Sequence, residues 1–445
     1  MKVRCLILVV ALLVMGALTA LAQLVPDPQQ TVPAAQSGDH GNRYIVSFVP
    51  GTGQDARAAV ARRAGALLRF NYDIVDAIAI AVPNANALAA LGLEPSVRAI
   101  IPDRPVHAIP GPVDTAKGKP GGGGGGSSTQ VIPEGVKRVG GPSAAAAAGV
   151  AIVDTGIDLK HADLKVEAAK FDAYGGTCQD GDGHGTHVAG IVAAQDNSID
   201  VVGVVPNAKL YCVRVLDNSG SGTDSSVIAG LNWVYNQNAT ALQTSRKALI
   251  RVVNMSLGRP GTVGDNSALY DAVVALDGQG VAIVVAAGND PKTEIAQQIP
   301  AAYPQAQAIA STTAIAGTTS CRNFRNSIPA DTASYFTTDG VGVTVSAPGE
   351  DQENVNTACF VSSVGILSLK LGGGTTRMSG TSMAAPHVSG VAAVIPAKTP
   401  SLSGAANIRQ AIHNIAALIG RAPYDSPTSS YTFDNVREGI AQLPK

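Results

Sequence analysis

Charged and aromatic residues are scarce in this chain of 445 residues. Asp, Glu, Lys and Arg make up 15% of it and Phe, Trp and Tyr 4%, and the formal net charge at pH 7 is −1. This composition argues against a nucleic-acid-binding surface and against a polybasic membrane patch. Hydrophobic residues account for 45% of the chain. A chain of this length and composition is therefore predicted to be globular, with a large buried core.

Cysteine is also rare, with five residues in the whole chain. One of them, Cys5, lies in the N-terminal apolar run and would leave with it. An even number then remains, which in an oxidising compartment favours two disulfides. Three pairings are open to these four residues, which are Cys178, Cys212, Cys321 and Cys359.

Long apolar runs are confined to the N-terminus. Lys2 and Arg4 precede an apolar run over about residues 5–20, and the small residues Ala20 and Ala22 follow the pattern of a cleavage site. Residues 1–22 are therefore predicted to be a signal peptide, and the protein is expected to be secreted. The run is shorter than the roughly 20 residues that a spanning helix needs. We therefore expect no membrane attachment after the signal is removed.

Three motifs place an acid, a base and a nucleophile in chain order. They are DTG at 154–156, HGTHVAG at 184–190 and GTSMAAPH at 380–387. A serine hydroxyl becomes an effective nucleophile when an imidazole takes its proton, and the imidazole needs a carboxylate to hold its tautomer. Asp154, His184 and Ser382 are the candidates for these roles, in one of the recurrent orders of a serine triad.

A fourth motif, AAGN at 286–289, ends the most apolar predicted strand of the chain. The side-chain amide of Asn289 is a candidate donor to a tetrahedral oxyanion, with the main-chain N–H of Ser382 as the second donor. A metal site is the alternative for His184 and His187, but the zinc pattern HExxH requires a glutamate that is absent here. The remaining histidines are predicted to be structural.

Together these motifs resemble the subtilisin family (subtilases) of serine proteases, with leanings toward its proteinase K and aqualysin-like branch. The resemblance covers residues 130–445 as the catalytic domain. It implies a secreted serine endopeptidase of broad specificity that acts through an acyl-enzyme, made as an autoprocessing precursor and expected to be monomeric. The resemblance also favours the disulfide pairs Cys178 with Cys212 and Cys321 with Cys359. A catalytically inactive binding protein with the same fold is the alternative, against which the complete set of catalytic residues argues.

Residues 41–108 show their own pattern, with strands near 44–51, 74–82 and 97–101 and helices near 55–68 and 86–92. This pattern resembles the inhibitor-like propeptide of subtilases, a small α+β ferredoxin-like module that serves as intramolecular chaperone and inhibitor. An ordinary small domain is the alternative. Residues 109–129 contain six consecutive glycines and are predicted to be a flexible linker and processing region.

The resemblance further implies one structural Ca²⁺ and no organic cofactor. Oxygen ligands of the expected kind suit Ca²⁺ better than Zn²⁺. A solvated acidic loop is the alternative interpretation. The ligands would be Gln130, Asp163 and four residues of the loop after the HGTH helix, namely Gln195, Asn197, Ile199 and Val201.

The resemblance also implies that substrate peptides pair with two exposed main-chain segments, Gly220, Ser221 and Gly222 on one side and Ser256, Leu257 and Gly258 on the other. Leu257, Ala286 and Gly288 would wall an apolar pocket. The predicted fold is α/β, a three-layer arrangement around a mostly parallel sheet. Its strands lie near 149–153, 208–215, 250–255, 281–287, 308–312 and 342–346, and its helices near 184–195, 224–238, 266–278, 382–396 and 404–418.

Overall fold

The computed structural model describes residues 42–109, 111, 129–145, 147–245, 248–402, 404–419, 423–427, 429, 434 and 436–445. The predicted signal peptide and most of the predicted linker lie outside these residues. Within them, no helix is both long and apolar enough to cross a membrane.

The N-terminal module is a four-stranded antiparallel sheet with two helices. Its strands follow the order β2-β3-β1-β4, and its own core lies between one face of the sheet and the helices. This βαββαβ topology is a ferredoxin-like arrangement, which the family resemblance implied, with one strand more than the β, α, β, α, β order predicted from the sequence. The elements are β1 (Arg43–Phe48), α1 (Gln54–Arg63), β2 (Leu67–Asn71), β3 (Ala77–Ala81), α2 (Ala85–Gly92) and β4 (Val97–Pro102).

The predicted first helix was too long, and the strand after it was missed. The helix ends at Arg63, and Gly65 adopts a positive φ of 69° that turns the chain into β2. The sequence of β2, LLRFN, alternates between apolar and polar residues only over its last four positions. So short a run is a weak strand signal beside the helical pattern before it, and its pairing with β3 depends largely on the tertiary structure.

The second part of the chain is built on a seven-stranded sheet with the order β15-β14-β12-β10-β6-β8-β7, in which every adjacent pair is parallel. All six predicted strands and all five predicted helices are present, with ends shifted by a few residues, most at the C-terminal end of the helix from Asp224. The strands of this sheet are β6 (Gly149–Asp154), β7 (Phe171–Asp172), β8 (Leu210–Arg214), β10 (Ile250–Met255), β12 (Ala282–Ala286), β14 (Ala306–Thr313) and β15 (Val343–Glu350).

Helices cover both faces of this sheet. Alternate residues of strand β6 enter hydrophobic clusters on opposite faces of the sheet. Ala151 and Val153 belong to one cluster, and Val150 and Ile152 belong to the other. Burial on both faces explains why the strands read as continuous apolar runs. The helices are α3 (Glu134–Arg138), α4 (His184–Ala193), α5 (Asp224–Ser245), α6 (Ser267–Gly278), α7 (Thr381–Lys398) and α8 (Ala405–Ile419).

Shorter strands complete the structure. A four-stranded sheet with the order β13-β11-β5-β9 joins the two parts, because β5 follows the N-terminal module whereas its neighbours belong to the second part. Two hairpins, β16 with β17 and β18 with β19, lie before α7 in the chain. The bounds are β5 (Pro105–Ala108), β9 (Ser221–Thr223), β11 (Leu257–Pro260), β13 (Gln298–Ile299), β16 (Gln352–Val355), β17 (Val361–Val364), β18 (Ile366–Leu369) and β19 (Thr375–Met378).

Candidate active site

The predicted acid and base are in direct contact. Asp154 is the last residue of β6 and His184 the first of α4, and Nδ1 of His184 lies 2.8 Å from Oδ1 of Asp154. Asp154 is fully buried and His184 nearly so. The same carboxylate oxygen accepts a hydrogen bond of 2.7 Å from the main-chain N–H of Thr155. This pairing leaves Nε2 as the ring nitrogen available to a nucleophile.

Asp180 holds the start of α4, a role that the sequence analysis did not assign. Its Oδ1 accepts hydrogen bonds of 3.0 Å from the main-chain N–H groups of Asp182 and Gly183, and its Oδ2 accepts one of 3.0 Å from that of Thr186. These bonds satisfy donors that the first turn of a helix leaves without intrahelical partners. The DGDG stretch before His184 thus serves as a helix cap. Its signal was an acidic residue just ahead of a helix start.

Ser382 is the second residue of α7 and is fully buried. Its Oγ lies within hydrogen-bonding distance of two main-chain carbonyl oxygens, that of Ile109 at 3.1 Å and that of Ser256 at 3.3 Å. Among the described atoms, Nε2 of His184 has no hydrogen-bond partner. The hydroxyl is therefore turned toward the chain that fills the cleft and not toward the imidazole.

Asn289 lies where its amide can donate to the same carbonyl. Its Nδ2 is 3.5 Å from the carbonyl oxygen of Ile109, whereas its Oδ1 accepts bonds of 2.9 and 3.0 Å from the N–H and hydroxyl of Thr381. The two bonds from Thr381 fix the orientation of the amide. Gly380 has a φ of 142°, and a Cβ there would lie 2.9 Å from the amide nitrogen. Glycine is therefore required for the approach of Asn289.

The cleft is filled by β5 of the same chain. Ala108 pairs with Leu257 on one side, and His107 pairs with Ser221 on the other. The N–H of Ala108 donates to the carbonyl of Gly220 at 2.8 Å, and that of Ile109 to the carbonyl of Ser256 at 3.4 Å. The two main-chain segments predicted to bind substrate thus lie on opposite sides of one extended strand.

The predicted pocket residues lie in different clusters. Ile109 packs against the cluster that contains Ala286, whereas Leu257 is buried in the cluster on the other face of the sheet. The side chain of Leu257 therefore packs with that of Val106 in β5 and not with that of Ile109. Gly288 has a φ of 125°, and a Cβ there would lie 2.6 Å from the hydroxyl of Thr338.

The electrostatic surroundings of His184 differ from those of the other two histidines nearby. Burial alone would lower the pKa of His184, but Asp154, Asp182 and Asp180 together raise it above 6.5. Burial lowers the pKa of His187 to about 3 and that of His387 to about 4. His187 and His387 are hydrogen-bonded to the carbonyls of Ile366 at 3.1 Å and Met383 at 2.8 Å. Both are neutral and pack in the core, as the sequence predicted.

Comparison with known proteins identifies the family. The model of the subtilase family of peptidases matches residues 146–437. The chain is a subtilase. The matched residues comprise all the triad candidates and Asn289, and subtilases are serine-type endopeptidases.

Two curated relatives show how far this similarity extends. Subtilisin J of Geobacillus stearothermophilus is 31% identical over 407 residues, 88% of this chain and 90% of that protein. Subtilisin Savinase of Lederbergia lenta is 37% identical over 298 residues, 65% of this chain and 93% of that protein. The match to an alkaline protease of Alkalihalobacillus alcalophilus, also 37% identical, spans 66% of that protein.

A solved structure shows the same fold. The crystal structure of a cold adapted subtilisin-like serine proteinase has a TM-score of 0.53 and 27% identity, and the match covers 72% of this chain and all of the other. The subtilisin-like α/β fold predicted from the sequence is thereby confirmed. The leaning toward the proteinase K and aqualysin-like branch stays a prediction.

The predicted calcium ligands of this subtilase come together around one side chain. Nε2 of Gln130 lies 2.7 Å from the carbonyl oxygen of Gln195, 2.9 Å from that of Ile199 and 3.1 Å from that of Val201. It is also 3.1 Å from Oδ1 of Asn197, whose Nδ2 donates to Asp163 at 2.7 Å.

The predicted calcium ligands include one carboxylate, that of Asp163. Asp163 is fully buried, and burial raises its pKa to about 6. Among the described residues, no group of three or more His, Cys, Asp or Glu side chains is placed to hold a metal ion. Amide and main-chain oxygens around one acid form a ligand set of the kind that hard cations such as Ca²⁺ accept.

Both disulfides of the subtilase are formed. Cys178 is bonded to Cys212, and Cys321 to Cys359, with S–S distances of 2.03 and 2.00 Å. The first bridge lies two residues before Asp180 and joins the loop ahead of α4 to β8. The second joins the segment after β14 to the turn between β16 and β17.

Proposed function

We propose that this subtilase is a secreted serine endopeptidase, made as an autoprocessing precursor, in which Asp154, His184 and Ser382 form the triad. The observation that carries the proposal is the peptide carbonyl of Ile109, which lies 3.1 Å from Oγ of Ser382 and 3.5 Å from Nδ2 of Asn289. A peptide group in this position is surrounded by the nucleophile and an oxyanion donor. The relatives named as alkaline protease and subtilisin support the same assignment.

In the proposed reaction, Oγ of Ser382 attacks the substrate carbonyl carbon while Nε2 of His184 takes the hydroxyl proton. The carbonyl oxygen becomes an oxyanion, to which the Asn289 amide and the Ser382 main-chain N–H donate. His184 then gives its proton to the departing amine as the C–N bond breaks, which leaves an acyl-enzyme. Water hydrolyses the acyl-enzyme by the same proton transfers. Asp154 keeps the imidazole oriented and stabilises its protonated form.

Substrates are proposed to bind as an added strand between β9 and β11, the place that β5 occupies here. Main-chain hydrogen bonds do not discriminate strongly among side chains, so a broad range of protein and peptide substrates is expected. The apolar surroundings of Ile109 favour an apolar residue before the cleaved bond.

The N-terminal module is proposed to be a propeptide that inhibits the catalytic domain and assists its folding. The carboxylate of Asp103 accepts hydrogen bonds of 2.9 and 2.6 Å from the N–H and hydroxyl of Ser225, at the start of α5. An anion at a helix N-terminus is stabilised by the free N–H groups and the helix dipole. Tyr72 donates to the carbonyl of Ser225 at 2.9 Å. With β5 in the cleft, these contacts hold the module over the site.

Ca²⁺ is proposed to bind at Gln130, Asp163 and the loop from Gln195 to Val201, where it would stabilise the folded state and take no part in catalysis. A ligand at 100 times its dissociation constant stabilises a protein by about 2.7 kcal/mol. We therefore expect excess Ca²⁺ to raise the melting temperature of the wild type by several degrees over EDTA.

Two matched substitutions test the calcium assignment. Asp163→Asn should abolish most of the response to Ca²⁺, whereas Asp196→Asn, at an exposed acid in the same loop, should retain it. The measurement is the melting temperature of each protein in Ca²⁺ and in EDTA. An equal response in all three proteins would show that Asp163 is not a ligand.

The decisive experiment on activity uses the full precursor beside Ser382→Ala. Ser389→Ala is the matched control, a buried serine about two turns further along α7. Wild type and control should lose the N-terminal module and hydrolyse casein, while Ser382→Ala stays uncut and inert. Mass spectrometry and casein hydrolysis are read in the same samples. If all three proteins fold but none is cut or active, the alternative of an inactive binding protein is favoured.

A further inference from the structure

The bond that β5 presents to the nucleophile is fixed by the register of the strand. Each of residues 105–108 pairs with β9, with β11 or with both. The next carbonyl in the chain, that of Ile109, lies within hydrogen-bonding distance of Oγ of Ser382 and Nδ2 of Asn289. The sequence makes Pro110 the following residue. The peptide bond held at the predicted nucleophile therefore joins Ile109 to a proline.

Proline changes the chemistry of that bond. In an ordinary peptide, the departing nitrogen carries a hydrogen and accepts a proton from the imidazole as the bond breaks. A proline nitrogen carries a ring carbon in place of that hydrogen, and its ring fixes φ near −65°. A bond to proline is therefore a poorer substrate for this reaction than a bond to a residue with a main-chain N–H.

Gly111, two residues after Ile109, lies close to the segment that precedes Ser382. A Cβ added at Gly111 would overlap the carbonyl oxygen of Ser379, and a Cβ at Gly380 would lie 3.5 Å from Cα of Gly111. The main chain two residues after Ile109 thus passes directly against the segment that precedes Ser382.

We propose that the Ile109–Pro110 bond is held at the active site but resists hydrolysis, so that residues 105–109 act as a substrate-like inhibitor that is not cut there. The cut that separates the module from the catalytic domain then falls on the C-terminal side of Pro110. This inference rests on the proposed function, since it requires an active Ser382. It identifies Pro110 as the residue that protects the bound tail.

The test compares three full-length precursors: wild type, Pro110→Ala and Pro120→Ala, the last with the same change further along the linker. In Pro110→Ala, water should add OH to the Ile109 carbonyl and H to the main-chain nitrogen of the introduced alanine, which gives a fragment that begins with that alanine. We expect this cut at least about tenfold faster than a cut after Ile109 in the other two proteins. Mass spectrometry and N-terminal sequencing over time identify each fragment.

Synthetic peptides provide a second measurement that does not depend on folding of the variants. The peptide of residues 105–111 should survive incubation with the processed wild-type enzyme, and its Pro110→Ala counterpart should be cut after Ile109. A wild-type precursor that yields a fragment beginning at Pro110 as fast as Pro110→Ala is cut would overturn the inference. The inference would also be overturned if the Pro110→Ala precursor and the Pro110→Ala peptide both stayed uncut after Ile109 while the enzyme hydrolysed casein. That result would leave the proposed function standing. If no protein hydrolyses casein even after trypsin has removed the module, the proposed function fails and the inference fails with it.

Discussion

At the scale of single residues, three carboxylates decide the protonation of His184. The base must be neutral to take a proton, so activity is lost as the pH falls through its pKa. Asp154, Asp182 and Asp180 raise that pKa above 6.5 despite burial.

This shift predicts where the pH profile falls. The acid limb of kcat/KM for the wild type should lie above pH 6.5. Asp182→Asn keeps an oxygen for the N–H of His184, which lies 3.0 Å away, and removes a charge. Its limb should therefore move to lower pH with little change in the plateau rate. Identical acid limbs in wild type and Asp182→Asn would refute the electrostatic account.

Asp154→Asn should lower kcat by about 10⁴-fold, because the tautomer of His184 is no longer held.

Asn289 supports a second prediction at this scale. Asn289→Ala should lower kcat by about 10²- to 10³-fold, or about 3 to 4 kcal/mol, because the oxyanion loses one donor. KM should change little, since the strand pairing at β9 and β11 is untouched. Steady-state kinetics on a peptide substrate measure both constants. A rise in KM with unchanged kcat would instead assign Asn289 to ground-state binding.

At the scale of elements, the two disulfides form a matched pair. They close loops of similar length, with separations of 34 and 38 residues. Loss of either should therefore destabilise the protein by about 3 to 4 kcal/mol through the entropy of the unfolded chain. Only Cys178–Cys212 lies beside the Asp180 loop that positions α4.

Activity should therefore separate the two bridges. Replacing Cys178 and Cys212 with serine should lower both the unfolding free energy and kcat, whereas replacing Cys321 and Cys359 should lower the unfolding free energy alone. Denaturant unfolding and kinetics at a temperature where both variants are folded provide the comparison. Equal losses of kcat would contradict a positioning role for the first bridge.

Elements also show what the sequence allowed to be predicted. The strands of the large sheet are buried on both faces and appear as apolar runs, and the motif residues lie at the ends of the strands or starts of the helices that they border. In contrast, β2 alternates over only four residues, which is a weak local signal. The place of β5 between β9 and β11, and the turn of the Ser382 hydroxyl toward Ile109, arise from contacts between residues more than 100 positions apart, which periodicity cannot report.

At the scale of the whole molecule, the candidate site depends on segments far apart in the chain. Asp154, His184, Asn289 and Ser382 span most of the second part. Asp154 and Asn289 follow parallel strands, whose carboxyl ends share one edge of the sheet, and His184 and Ser382 lie at the starts of helices. Such contacts have a high cost in loop closure, so folding of this domain is expected to be slow. An attached module that pairs with β9 and β11 is suited to assist that step.

The position of β5 has a consequence for how folded proteins are attacked. β5 lies between β9 and β11 at the spacing of a sheet, about 4.8 Å to each neighbour, so the proposed removal of β5 would leave a gap the width of a single strand. A helix is about 10 Å across and does not fit. A target must therefore release a stretch of several residues from its own structure before it is cut. The rate on a native protein is then set by the free energy of local opening in that protein, more than by which side chains its sequence offers.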